Sequence, residues 1–163
     1  MATHQKSANA NSDSETRAHQ DDHIALRLWL RLLTCTNLIE TQLRSKLRTE
    51  FDTTLPRFDL LSQLDREPDG LSMGALSQRM MVSGGNVTGL VTQLLKDGYV
   101  SKTPHPDSRR TFVVALTKKG RTAFKTMAEE HEAWVQGMFA NLSENQMQKL
   151  MKSLANLKKS AGE

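Results

Sequence analysis

The chain has 163 residues, enough for one domain or one domain with an oligomerisation arm. Its 37% hydrophobic share is low for a self-sufficient globule, so a core completed by a partner chain is expected. Cys35, the one cysteine, excludes an intramolecular disulfide framework and a cysteine-rich zinc site. No apolar run nears the roughly 18 residues of a membrane span, and aromatics at 5% leave little for single-strand stacking platforms.

The N-terminal stretch has no apolar core and is not a secretory signal, so a cytoplasmic protein is the expectation. Residues 1–21 are mostly Ser, Asn, Gln, His and charged side chains, and read as a disordered tail. From Asp22 to about Phe51, Ile24, Leu28, Leu32, Cys35, Ile39, Leu43 and Leu47 recur at helical spacing. Leu26, Trp29, Leu30 and Leu33 make a second apolar face, so this helix is expected to be covered on two sides, by its own domain and by a second subunit.

Pro56 suits a first helical turn, with Thr53 or Thr54 as cap and Phe58, Leu60, Leu61 and Leu64 inside. Leu71 and Ser72 lead into a third helix with Leu76 and Met80 inward. Val82 to Gly85 breaks that pattern. Val87, Leu90, Val91, Leu94 and Leu95 define a fourth helix, closed by Gly98. Two β-rich runs, Tyr99–Thr103 and Thr111–Leu116, flank a polar tip from Pro104 to Arg110, a hairpin with a long loop. Thr117 caps the next helix, with Phe124, Met127, His131, Trp134 and Met138 on one face and its end near Asn141. Ser143 and Gln146 have capping-box spacing for the last helix, which would bury Met147, Leu150, Met151, Leu154 and Leu157.

Two short helices joined by a tight turn, then a two-stranded hairpin, make a winged helix-turn-helix. The fold is mainly α with a small β-hairpin wing. In this arrangement the second helix enters the DNA major groove. Its start carries Ser83, Gly85, Asn86 and Thr88, and farther on Gln93, small polar side chains suited to base edges and phosphates. Glycines inside a helix each cost about 0.8–1 kcal/mol relative to alanine. Gly84 reads as turn chemistry and Gly89 as room for close approach.

Residues 72–120 hold seven basic and two acidic side chains, so most of the net +4 sits there; a polyanion partner and a merely solvated basic face both fit that charge. At the hairpin tip, Arg109 would enter a minor groove, braced by Asp107, with Arg110 and Lys102 adding charge.

Gly98-Tyr99-Val100, Asp107-Ser108-Arg109-Arg110 and Leu116-Thr117-Lys118-Lys119-Gly120 follow one another here. In these motifs, and over about residues 24–158, the chain resembles the MarR family of transcriptional regulators. That resemblance implies a homodimer with an interlocking helical dimerisation region, helices at 22–54 and 118–160, and a DNA-binding domain at 55–117. It also implies double-stranded DNA as partner and a small-molecule effector site between the two regions. Many members have basic residues on the recognition helix where this chain has Gly89 and Gln93, which moves the charge to the wing and Lys102.

Leu55–Asp59 and Ser83–Val91 are similar to members that respond to aromatic acids or aromatic acyl-CoA thioesters. Arg27 and Arg31, one turn apart, would grip the anionic group, with Trp29 and Phe58 as apolar wall. The plainer reading makes Trp29 and Phe58 core and the arginines surface pairs. Cys35 reads as a buried inert thiol, with a redox sensor as the alternative. His131 reads as a core histidine, and the five histidines have no metal-ligand spacing.

No catalytic constellation or phosphate loop is present, so neither an enzyme nor a cofactor is expected. The leading expectation is a ligand-responsive repressor on a palindromic operator. Its rivals are a redox regulator acting through Cys35, an aromatic-thioester binding protein without DNA, and a winged-helix protein-interaction module. The last would not need Arg109 and Arg110 at the tip.

Overall fold

The structure is a computed structural model that describes residues 23–105 and 108–162, with backbone alone at 108–110. The expected tail at 1–21, Asp107, and the side chains of Arg109 and Arg110 lie outside the described residues. The elements are α1 (Ile24–Phe51), α2 (Leu55–Asp65), β1 (Leu71–Ser72), α3 (Met73–Met80), α4 (Gly84–Lys96), β2 (Val100–His105), β3 (Ser108–Leu116), α5 (Lys118–Met138) and α6 (Glu144–Ser160). Two compact units divide the chain inside α1, Met1–Ser45 and Lys46–Glu163.

The described part of the first unit is the N-terminal stretch of α1. Ile24, Leu26, Leu28, Trp29, Leu33 and Leu38 are all exposed on it. Cys35 is exposed too, which corrects the expectation of a buried thiol within this chain. Arg44 and Glu40 form an i, i+4 ion pair at 2.7 Å.

The second unit carries the core. Leu47, Leu60, Leu61, Leu64, Leu76, Val87, Val91, Leu94 and Val114 are fully buried. The left-handed backbone of Asp52 (φ 46°) stops α1, a conformation aspartate tolerates better than most residues. Thr54 then takes the N-cap position of α2 without a side-chain cap hydrogen bond, ahead of Pro56. α2 packs on α5, with Phe58 stacked on His131 at 4.6 Å and 5.5 Å from Phe124. Farther along α5, Trp134 is buried beside Phe51, at 6.1 Å.

The sheet has three strands in the order β1-β3-β2, all antiparallel. Leu71 and Ser72, read from sequence only as a lead into α3, pair with Val114 and Val113. A two-residue strand leaves no period to read. The hairpin strands are also longer than expected. Pro104 and His105 belong to β2, and Ser108 to Arg110 belong to β3. Proline is tolerated at 104 because β2 is an edge strand.

α5 ends at Met138, before the expected Asn141, with Phe139 as its C-cap. The Ser143–Gln146 capping box of α6 forms with both reciprocal hydrogen bonds. No residue of α6 is buried, although Leu150, Met151, Leu154 and Leu157 line one stripe of it.

Candidate nucleic-acid interface

The interface is built from α3, α4 and the β2–β3 hairpin. The Ser72 side chain caps α3 by accepting from the Ala75 amide at 3.1 Å. α3 ends on Met81, which has a left-handed backbone (φ 54°) and is 91% exposed. Glycine is the usual occupant of such a turn position, so the sequence carried no signal for it. The Ser77 hydroxyl donates to the Val82 carbonyl at 2.6 Å and ties the turn to α3.

Ser83 opens α4. Its side chain accepts from the Asn86 amide at 3.4 Å, so this expected DNA-contact residue is also the helix cap. Val87, Val91 and Leu94 are buried, and Gly85, Asn86, Thr88, Gly89, Thr92 and Gln93 are exposed. A Cβ added at Gly84, Gly85 or Gly89 would meet nothing within 4 Å. Nothing in the packing of the described residues therefore requires glycine at these positions.

On the hairpin, Lys102 is exposed on β2, with its ammonium 4.5 Å from the Phe112 ring centre. The backbone places Arg109 and Arg110 in β3 close to the turn. Two other basic residues of the central segment are engaged by partners within the chain. Arg79 pairs with Glu67 at 2.7 Å. Lys119 donates to the Asp97 carbonyl at 2.7 Å and lies over the Tyr99 ring.

The end of α4 is anchored by contacts that sequence reading missed. Asp97, its C-cap, pairs with Arg57 of α2, and through its carbonyl with Lys119 of α5. These partners are 40 and 22 residues away in the chain, beyond any local pattern. Beside them opens a cleft of about 540 Å³ whose lining includes Phe51, Thr53, Arg57, Asp97, Tyr99 and Met127. Gly98 follows with φ +72°, the left-handed residue expected after α4. Thr117 donates to the Gly98 carbonyl at 2.7 Å and accepts from the Gly120 amide at 3.0 Å, which caps α5.

Of the residues expected at a ligand site, Arg27, Trp29 and Arg31 are exposed on α1. Phe58 is buried in α2 among Phe124 and His131.

Comparison with known proteins agrees with this architecture. A family profile described as MarR family matches residues 51–111. The transcriptional activatory protein BadR of Rhodopseudomonas palustris is 33% identical over 108 residues, 65% of this chain and 61% of its own length. The chain thus spans less than two thirds of that relative. The crystal structure of a MarR family transcriptional regulator from Silicibacter pomeroyi is 34% identical, with a TM-score of 0.74, and the match covers 88% of this chain and 99% of that one. Sco3205 of Streptomyces coelicolor, a MarR family regulator crystallised in complex with DNA, shares the fold at a TM-score of 0.77 and 20% identity, over 88% of this chain and 91% of that one. With this helix-turn-helix, this wing and a relative matched over nearly its whole length, the chain belongs to the MarR family of transcriptional regulators.

Proposed function

We propose that this protein is a homodimeric repressor that binds a palindromic operator and is released by a small aromatic acid or its coenzyme A thioester. The observation that carries DNA binding is the joint placement of an exposed α4 face, uncharged until Lys96 at its C-terminal end, and a wing bearing Lys102, Arg109 and Arg110. The first matches a helix that reads base edges, and the second supplies the charge that binds phosphate and a narrow minor groove. A protein of the same fold, Sco3205, has been crystallised with DNA.

The dimer reading rests on apolar faces that the described residues leave exposed. They are the N-terminal part of α1 and the whole apolar stripe of α6. A second copy would take both out of water. The effector reading rests on Arg27 and Arg31, one helical turn apart and so on one face of α1, with Trp29 exposed on the same helix. The fixing of Asp97 to α2 and α5 offers a mechanical route, because a shift of either helix would carry the end of α4 with it.

The test is a gel shift with the DNA upstream of the protein's own gene, against unrelated duplex at matched salt. Retarded, competitor-resistant complexes support the reading. Equal affinity for both duplexes refutes operator recognition.

A further inference from the structure

We infer that α4 recognises thymine methyl groups, with Thr88 and Thr92 as the residues that set base preference. This rests on the reading of α4 as the major-groove helix. On a helix, positions 85, 88, 89, 92, 93 and 96 form one row, and Gly85, Thr88, Gly89, Thr92, Gln93 and Lys96 are all exposed along it. Val87, Val91 and Leu94 on the other side are buried. The row is the surface α4 offers to a groove.

Its chemistry is restricted. Lys96, at the C-terminal end, is its first charged residue, so the two-pronged arginine–guanine contact has no candidate on the N-terminal three turns. The Thr88 hydroxyl donates to the Gly84 carbonyl at 2.9 Å, and the Thr92 hydroxyl to the Thr88 carbonyl at 2.8 Å. Both hydroxyl protons are thus committed within the helix. What each threonine retains for a partner is a γ-methyl group and an accepting lone pair. The apolar feature that base pairs expose in the major groove is the thymine C5 methyl, which cytosine lacks. Threonine is short, so its methyl reaches a base edge only if the helix lies close. Gly85 and Gly89, glycines that internal packing does not require, remove the side chains that would hold the helix away.

The experiment uses the full-length protein and its operator duplex, located by footprinting. Each thymine in a half-site is replaced in turn by deoxyuridine, which removes the methyl and nothing else. Two positions per half-site should lose affinity by roughly fourfold, the equilibrium effect of burying one methyl-sized group. Thr88→Ser and Thr92→Ser keep the hydroxyl and delete the methyl. Each should bind the thymine duplex more weakly by a similar factor and become indifferent to deoxyuridine at one position, with affinity for unrelated DNA unchanged. Full affinity on every deoxyuridine duplex overturns the inference, with no variant needed. So do deoxyuridine penalties that persist in both serine variants. If the protein retards no DNA, the DNA-binding reading falls and takes this one with it. Tight, Arg109-dependent binding that ignores deoxyuridine overturns this inference alone.

Discussion

Gly120 joins a sequence motif to a packing need. It is buried in the first turn of α5, and a Cβ there would overlap the carbonyl oxygen of Tyr99. The close approach lets the Thr117 amide donate to that same carbonyl at 3.0 Å. Gly120→Ala should therefore destabilise the protein by about 3 kcal/mol, at the upper end for overpacking, because the obstacle is backbone. A lowered urea midpoint is the measurement, and an unchanged midpoint would refute the packing account. Arg109→Ala should do the opposite. Operator affinity should fall by about 1–3 kcal/mol while the urea midpoint stays put. His131 offers a pH test. Burial holds its pKa below the usual 6.5, so the unfolded chain takes up the proton more readily than the folded one. Its contribution is complete above pH 6.5 and is lost as the pH falls through the lowered folded value. His131→Phe, which keeps a ring against Phe58, should flatten that part of the stability–pH curve. An identical slope in both proteins would exclude His131 as its source.

Elements differ in how far they are self-contained. α4 has its cap, its buried side and its left-handed stop all between Ser83 and Gly98, within the reach of a local pattern. α6 is equally well formed, with a capping box and two lysines in its last turn, yet it buries nothing. Its apolar stripe stays exposed in this chain, which is the basis of the dimer proposal. Removing residues 143–163 should abolish the monodisperse dimer and leave aggregated or unfolded chain, since obligate dimers often lack a stable monomer. Light scattering of the truncated protein checks this, and a folded, monodisperse monomer would count against the dimer assignment.

At the scale of the whole molecule, the proposed regulation is a matter of differential affinity. Two recognition helices related by a two-fold axis fit an inverted repeat with half-sites about 10 bp apart. An effector releases DNA only if it prefers a dimer with the wrong spacing, and reversing a 99:1 preference takes on the order of 5 kcal/mol. Titration of aromatic acids and their coenzyme A thioesters into the operator complex should dissociate it, and Arg27→Ala with Arg31→Ala should blunt the response. Dissociation by an oxidant alone, abolished in Cys35→Ser, would replace the effector reading with the redox one. The exposure of Cys35 in this chain gives that arm of the experiment its weight.

Much of this protein is determined locally and was legible without coordinates. Helical periodicity located the six helices of the described residues, Ser83, Thr117 and Ser143 marked three starts, Gly98 marked a stop, and the β-rich runs around a polar tip marked the wing. Each of these signals acts within a few residues, where the physics of caps, turns and side-chain period operates. Other features belong to the tertiary structure. The strand at Leu71–Ser72 exists because β3 lies beside it. Pro104 fits a strand because β2 is at the sheet edge. Arg57 meets Asp97 because α2 and the end of α4 are brought together. Arg57 and Asp97 are 40 residues apart, Lys119 and Asp97 are 22 apart, and Arg121 and Asp65 are 56 apart. No local period records such a pairing. It is decided by how the buried faces of several elements are satisfied at once, which the sequence encodes only through the fold.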